Sequence, residues 1–193
     1  KGAEKKELCG NSWIARISDW RCSSSTDFDE VWKSHPSVYK SIRLYGKTVP
    51  LPRWQQAYGK SYFYSGSLSE AVPCTPLISQ LMNDVSNLLD VKYNSCLCNW
   101  YLPVHYIGKH SDDEKQIVPL TPIASISWGR HRTFVLKPKS NFREEDGYIS
   151  CEMELMDGDL IVMGGSCQST HTHEIRKLKK KNCQGNRINF TFR

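Results

Sequence analysis

The sequence predicts a mainly β domain with flanking helices, built as a β-barrel or jelly roll. Beyond Tyr93 the chain is mostly short apolar or alternating segments separated by turn residues, and one amphipathic helix precedes them. The 193 residues contain neither an internal repeat nor a linker long enough to divide them. Many short strands within one domain are typical of a sandwich or barrel.

The strands follow from runs of β-branched and aromatic residues between turn signals. Strands are predicted at residues 123–128, 133–137, 149–155, 160–163 and 187–193. Residues 44–47 resemble a hairpin tip, and residues 62–64 are aromatic strand material.

Two helices are predicted ahead of these strands. Leu77, Leu81 and Val85 recur at helical spacing after Pro76, which suits the first turn of a helix. A shorter helix is predicted near residues 28–32, capped by Thr26 or Asp27.

Composition excludes several classes of protein. A hydrophobic content of 39% with a net charge of +6 excludes a disordered chain. The apolar runs stop well short of the roughly 20 residues that a membrane-spanning helix needs. The chain begins at Lys1 without a leader, which we interpret as a fragment. The eight cysteines include no C-x-x-C pair, so zinc-finger spacing is absent, and we expect reduced thiols in an intracellular protein.

The final segment separates its side chains by a period of two. Arg187, Asn189, Thr191 and Arg193 share one face, and the other face is apolar. The polar face either lies in solvent or lines the interior of a barrel, where the two arginines would hold a small dianion.

A second pattern suits a metal ion. His110 and Asp112 are two apart on an extended segment, so they project to the same side. Either His171 or His173 could complete the two-histidine, one-carboxylate set of a non-haem Fe(II) site, and periodicity does not choose between them. Together with the arginine pair, these residues predict an iron centre beside a pocket for a small dicarboxylate.

These motifs carry a resemblance to a known family. Residues 110–114 (HSDDE), 122–129 (PIASISWG), 157–160 (DGDL) and the closing R-x-N-x-T-x-R of residues 187–193 occur in the order of the AlkB family. The chain resembles these Fe(II)- and 2-oxoglutarate-dependent dioxygenases, and most of all their eukaryotic DNA-repair branch, which acts on duplex DNA. Upstream, residues 52–59 and 62–66 match the substrate-side strands of that branch.

The resemblance implies a double-stranded β-helix core and a role for each matched residue. Iron would be held by His110, Asp112 and His173, which would also be the catalytic set. The 2-oxoglutarate would be bound by Asn99, Tyr101, Arg187, Asn189, Thr191 and Arg193, with Arg193 on the distal carboxylate. Substrate would be contacted by Tyr45, Gly46, Lys47, Arg53, Tyr62, Phe63, Tyr64, Asp113, Glu114, Arg132, Arg176 and Lys177.

Within that set, Tyr45 is expected to act as an aromatic wedge on its hairpin, which props open the base stack. Tyr62 and Tyr64 would shape the pocket for a flipped base. The basic run from Arg176 to Lys181 would touch the second strand.

The predicted function is oxidative demethylation of 1-methyladenine- and 3-methylcytosine-type bases in DNA, with Fe(II), 2-oxoglutarate and O₂. RNA or a modified base as substrate, a protein hydroxylase, and a catalytically silent nucleic-acid-binding module are the alternatives. Residues 1–43 are predicted as an N-terminal extension of unclear role, and residues 44–193 as the dioxygenase domain with its nucleotide-recognition hairpins. We expect a monomer that acts on duplex DNA with a flipped base, away from membranes and in the nucleus.

Overall fold

The structure, a computed structural model, describes residues 2–44, 46–64, 67–178 and 185–193, and for residues 44, 62–64 and 67 the backbone only. The strands are β1 (Glu4–Cys9), β2 (Ser12–Ile17), β3 (Ser41–Leu44), β4 (Lys47–Pro50), β5 (Trp54–Tyr58), β6 (Tyr62–Tyr64), β7 (Ser67–Ser69), β8 (Ala71–Val72), β9 (Cys96–Tyr101), β10 (Ile107–His110), β11 (Ile123–Gly129), β12 (Arg132–Pro138), β13 (Cys151–Leu155), β14 (Leu160–Gly164), β15 (His171–Ile175) and β16 (Arg187–Phe192). The helices are α1 (Ser25–Lys33), α2 (Pro76–Leu89) and α3 (Cys167–Thr170), with a 3₁₀ turn at Glu144–Asp146.

Two sheets form the core. The larger has eight strands in the order β1-β2-β14-β11-β16-β9-β5-β8, and the smaller has four in the order β10-β15-β12-β13. Ile123 and Ile161 of the larger sheet pack with Phe134 and Leu136 of the smaller one, so the sheets face each other. The arrangement confirms the predicted jelly roll.

The outer face of the larger sheet is covered by the two longer helices. The buried side of α2 presents Leu81 and Val85 to the apolar faces of β9 and β16. Helix α1 is joined to the same sheet by a hydrogen bond of 2.7 Å from Trp100 Nε1 to the carbonyl oxygen of Val31. No helix in the described ranges is long and apolar enough to cross a membrane.

Both faces of strand β16 are buried in the interior of the protein. Ile188, Phe190 and Phe192 join the core under the helices, whereas Asn189 and Thr191 line a cavity between the sheets. The solvent-exposed alternative for the polar face is therefore wrong, because the smaller sheet covers it.

Several boundaries differ from the predictions. The N-cap of helix α1 is Ser24, two residues before Thr26 and three before Asp27, because the Ser24 hydroxyl accepts a hydrogen bond from the Asp27 backbone N–H. The strand predicted from residue 149 begins at Cys151, since the Ile149 backbone N–H bonds instead to Leu8. Helix α2 and the hairpin of β3 and β4 lie where the sequence predicts them.

The first forty residues contain two strands that sequence patterns did not predict. Strands β1 and β2 form a hairpin, and β2 pairs with β14 from Leu160 to Gly164. This hairpin therefore extends the same sheet that carries β16. The division of the chain at residues 43 and 44 stays a prediction.

Candidate metal centre and co-substrate cavity

Three predicted ligands converge at one end of the space between the sheets. His110 ends β10, His173 lies in β15, and the two strands pair directly at these residues. Asp112 Oδ1 is 4.0 Å from His110 Nε2, and Asp112 Oδ2 is 3.8 Å from His173 Nε2. All three ligand atoms lie within 4.8 Å of one another, which is close enough to share one ion.

The structure distinguishes the two histidines that periodicity could not. His171 Nδ1 lies 2.7 Å from the Thr170 hydroxyl, and its Nε2 lies 3.3 Å from the Ile149 carbonyl oxygen. His173 instead faces Asp112 and His110, with 4.2 Å between the centroids of the two imidazole rings. Only His173 of the pair belongs to the cluster.

The protonation of the cluster suits a cation. His110 Nδ1 donates to the Gly108 carbonyl oxygen at 2.9 Å, which leaves Nε2 with a free lone pair. Burial lowers the pKa of His173 to about 3, so its imidazole is neutral at physiological pH. Burial opposes ionisation of Asp112, but Arg193 and the two histidines outweigh it, and the pKa of this carboxyl is lowered. Two neutral imidazoles and a carboxylate are the donor set of a non-haem Fe(II) site.

Two hydrogen bonds hold the Asp112 segment in place. The Asp112 backbone N–H donates to Gln168 Oε1 at 2.9 Å, and the Ser111 hydroxyl donates to the His171 carbonyl oxygen at 2.8 Å. No local pattern marks Gln168, because it lies 56 residues from Asp112 along the chain and meets it only in the folded protein.

The cavity between the sheets carries the remaining predicted polar residues. It is lined by the three ligands together with Leu97, Asn99, Tyr101, Ser125, Arg187, Asn189, Thr191 and Arg193, among others. Asn189 Oδ1 accepts from Arg187 Nη2 at 2.6 Å and from the Ser125 hydroxyl at 3.1 Å, and its Nδ2 donates to the Thr191 hydroxyl at 2.9 Å. These side chains form one hydrogen-bonded row along β16.

The two arginines of β16 have different surroundings. Arg187 is fully buried, with its guanidinium carbon 5.0 Å from the Tyr101 ring centroid. Its Nε and Nη1 are buried and have no hydrogen-bond partner among the described residues. Arg193 contacts Asp112 and, at 3.1 Å, Glu114 Oε1. Arg193 is thus engaged beside the ligands, while Arg187 retains open donors deeper in the cavity.

An open cleft of about 820 Å³ adjoins the cluster. One wall is the β3–β4 hairpin with the segment to Arg53, and the other is formed by residues 106–111 and 113–116, including His110. The cluster therefore lies between the cavity of the two sheets and a groove that opens to solvent.

The structure brings some predicted substrate residues to this cleft. Asp113 is exposed there, with Lys139 Nζ 3.3 Å from its Oδ2. Arg53 is buried at the inner wall, where its Nε donates to Asn99 Oδ1 at 2.8 Å. Glu114 lines the cleft as well, although its carboxylate faces Arg193.

Other predicted substrate residues lie elsewhere. Arg132 is buried, and its Nη2 donates to the carbonyl oxygens of His105 and Arg176, so it joins two chain segments instead of facing the cleft. Arg176 is exposed and pairs with Glu152 at 2.8 Å. Lys177 Nζ lies 5.7 Å from the Tyr106 ring centroid. Gly46 lies in the turn between β3 and β4, and Lys47 is the first residue of β4, paired with Leu44.

Part of the substrate set lies outside the described residues. This applies to Tyr45, to the side chains of Tyr62, Phe63 and Tyr64, and to Lys179, Lys180 and Lys181.

The chain as a whole is similar to known proteins. The family described as the 2OG-Fe(II) oxygenase superfamily matches residues 18–193. The human DNA oxidative demethylase ALKBH2 is 31% identical over 159 residues, which cover 79% of this chain and 60% of that protein. The rat alpha-ketoglutarate-dependent dioxygenase alkB homolog 3 is 31% identical over 171 residues, or 86% of this chain and 56% of that protein.

A solved structure, that of OsALKBH1, has the same fold. It superposes with a TM-score of 0.67 at 14% identity, over 98% of this chain and 99% of that one. The curated relatives confirm the AlkB resemblance, although the chain spans only about 60% of the length of the first of them. With a match over residues 18–193, the chain belongs to the 2OG-Fe(II) oxygenase superfamily.

Proposed function

We propose that the protein is an Fe(II)- and 2-oxoglutarate-dependent demethylase of N-methylated bases in DNA, of the 1-methyladenine and 3-methylcytosine type. The observation that carries this proposal is the position of His110, Asp112 and His173 between the cavity of the two sheets and the open cleft. A co-substrate in the cavity and a base in the cleft would meet at the same ion. The two named relatives, a DNA oxidative demethylase and an alpha-ketoglutarate-dependent dioxygenase, support both halves of the proposal.

The residues of the cavity fit a small dicarboxylate. Arg187 offers Nε and Nη1 without partners, and a guanidinium binds a carboxylate through two parallel hydrogen bonds. We assign the distal carboxylate of 2-oxoglutarate to Arg187, contrary to the resemblance-based assignment to Arg193. Arg193 already forms ion pairs with Asp112 and Glu114. In this position it stabilises the ionised form of the Asp112 carboxylate, which is the proposed metal ligand.

The cleft residues would position the base. Burial raises the pKa of Glu114, and Asp113 remains exposed at the rim, so the two neighbouring carboxyl groups differ in environment. Carboxylates accept hydrogen bonds from exocyclic amino groups, which both proposed methylated bases carry. When bound, Fe(II) and 2-oxoglutarate supply the O₂-dependent hydroxylation of the N-methyl carbon, after which formaldehyde leaves and 2-oxoglutarate has become succinate and CO₂.

The test is turnover on a panel of oligonucleotides. Formaldehyde and succinate are measured with DNA and RNA strands that contain 1-methyladenine, 3-methylcytosine or no methyl group. We expect formaldehyde from the methylated DNA strands, and none after His110→Ala combined with Asp112→Ala. His131→Ala, which removes a histidine outside the cluster, should retain turnover. Formaldehyde release that survives the double substitution would refute the metal assignment, and release from RNA alone would refute the DNA assignment.

The preference for duplex DNA depends on the predicted wedge. Tyr45→Ala should impair repair of a duplex more than repair of a single strand, because only the duplex needs its stack propped open. Equal loss on both substrates would contradict that role. Action as a monomer and location in the nucleus are part of the same proposal.

A further inference from the structure

Three aromatic rings are stacked beside the cleft. The His35 and Trp54 rings are stacked with their centroids 3.9 Å apart and 14° between their planes. The Tyr39 ring is stacked with Trp54 as well, at 5.0 Å and 7°. Tyr39 remains 40% exposed. It therefore presents aromatic surface to solvent from a ring whose orientation is fixed by the protein.

Hydrogen bonds hold that orientation. His105 Nδ1 accepts from the Leu102 backbone N–H at 3.1 Å, so the ring proton lies on Nε2. His105 Nε2–H donates a hydrogen bond to the Tyr39 hydroxyl oxygen, at 3.1 Å. Trp54 also packs edge-on against Trp32, with 6.2 Å between their centroids. An aromatic ring held in this way loses little conformational freedom when a ligand stacks on it.

The surface around Tyr39 combines apolar and basic side chains. Val38 is 69% exposed and Val104 is 51% exposed. Lys177 lies over the ring of Tyr106, the residue after His105. Arg132 joins the two segments, since its Nη2 donates 2.7 Å hydrogen bonds to both the His105 and the Arg176 carbonyl oxygens. The aromatic ring of Tyr39 and the ammonium group of Lys177 thus contact two consecutive residues, His105 and Tyr106.

The segment of His105 and Tyr106 also borders the cleft. Tyr106 lines the cleft, and its backbone N–H donates to the Pro52 carbonyl oxygen at 3.2 Å. A strand with one nucleotide in the cleft would therefore pass close to this surface. The combination of an exposed aromatic ring and nearby cations is the one that single-stranded nucleic acids bind, because bases stack on the ring and phosphates pair with the cations.

We infer that Tyr39, with Val38, Val104 and Lys177, forms a second nucleic-acid contact, on which an unpaired base adjacent to the substrate nucleotide stacks. The inference rests on the proposed function and adds a site outside the cleft. Stacking on Tyr39 supplies affinity without sequence preference, and Lys177 supplies the electrostatic part.

The experiment compares two substitutions of Tyr39 that differ in aromatic character. Binding of a methylated single-stranded DNA oligonucleotide is measured by fluorescence anisotropy at several salt concentrations, with melting temperatures recorded in parallel. Tyr39→Leu should weaken binding by about fivefold or more, the lower end for one base–aromatic stack, without changing the salt dependence. Tyr39→Phe retains the ring and should bind like the wild type. Lys177→Ala should reduce the slope of log K against log salt by about 0.7.

Two results would overturn the inference. Unchanged binding by Tyr39→Leu would show that no base stacks on the ring. Equal losses of binding and melting temperature in Tyr39→Leu and Tyr39→Phe would show that Tyr39 serves only to hold the fold, through its hydroxyl group. Formaldehyde release is recorded separately with a methylated mononucleotide, which has no neighbouring base to stack on Tyr39. If the wild type releases none from any substrate while binding still depends on Tyr39, the proposed function fails and the second contact stands.

Discussion

Arg187 is the residue on which the co-substrate cavity depends most. It is a fully buried cation whose Nη2 has two partners, Ser127 and Asn189, while Nε and Nη1 have none among the described side chains and backbone. Burial lowers its pKa to about 10, which still leaves it charged at neutral pH. Unsatisfied buried donors destabilise an empty cavity and favour a ligand that satisfies them.

Arg187→Met should therefore weaken binding of 2-oxoglutarate without lowering the stability of the protein. We expect affinity for 2-oxoglutarate to fall by about tenfold to a hundredfold, the effect of losing a charge-assisted bidentate contact. The melting temperature without 2-oxoglutarate should be unchanged or higher, because an apolar side chain replaces a buried charge with open donors. Isothermal titration and thermal melting measure the two quantities. Arg143→Met, at an exposed arginine, is the control, and wild-type affinity in Arg187→Met would contradict the assignment.

His105 makes the stability of the protein depend on pH. Burial, with contributions from Arg132 and Arg53, lowers the pKa of His105 below its ordinary value of 6.5. The unfolded chain then binds a proton more readily than the folded one, so stability is complete above about pH 6.5 and is lost as the pH falls through the lowered pKa. Protonation would also remove the acceptor for the Leu102 N–H.

We expect His105→Gln to reduce this pH dependence. The free energy of unfolding of the metal-free protein is measured by urea denaturation between about pH 7.5 and pH 5.5, across the ordinary pKa of histidine. The wild type should lose more stability over this interval than the variant, while the other buried histidines contribute to both. Equal slopes would contradict the role of His105.

At the scale of elements, the segment before α1 is bound to the larger sheet by one carboxylate. Asp157 accepts hydrogen bonds from the Ser23 backbone N–H and hydroxyl and from the Gly129 backbone N–H, at 3.2, 2.9 and 2.6 Å. Gly129 has a φ of +84°, and a Cβ there would lie 2.6 Å from a ring carbon of Phe28. Helix α1 therefore packs directly on the end of β11.

Asp157→Ala should loosen this attachment. Removing three hydrogen bonds at a partly buried site should destabilise the protein by about 2 kcal/mol, measured by urea denaturation. Asp29→Ala, at an exposed position of α1, is the matched control and should change stability little. Equal effects of the two substitutions would show that Asp157 has no special part in holding α1.

Strands with both faces buried limit what a sequence pattern reveals. The alternation in β16 located the strand and sorted its side chains, but the pattern was equally compatible with a solvent face, because burial of Asn189 and Thr191 depends on a sheet formed by other segments. The hairpin of β1 and β2 was missed for a related reason. Its first strand reads EKKELC, with charges on both sides, and pairing rather than amphipathic patterning holds it in place.

At the scale of the whole molecule, the candidate metal centre is assembled from segments that are distant in sequence. The pair His110 and Asp112 could be recognised locally, whereas the choice of His173 over His171 followed from the family resemblance and is explained by the pairing of β10 with β15. Gln168 and the stack around Trp54 carried no local signal at all. Sequence motifs therefore predicted the chemistry of the centre, and the fold was needed for the residues that support it.

The central claim is that His110, Asp112 and His173 hold Fe(II) while Arg187 holds 2-oxoglutarate. The most direct measurement is an anaerobic titration of the metal-free protein with Fe(II) and 2-oxoglutarate, followed by the visible absorption that this pair produces when bound together. We expect the wild type to develop the absorption, Asp112→Ala to lack it, and Arg187→Met to need at least about tenfold more 2-oxoglutarate. No absorption in the wild type, or equal absorption in Asp112→Ala, would contradict the claim.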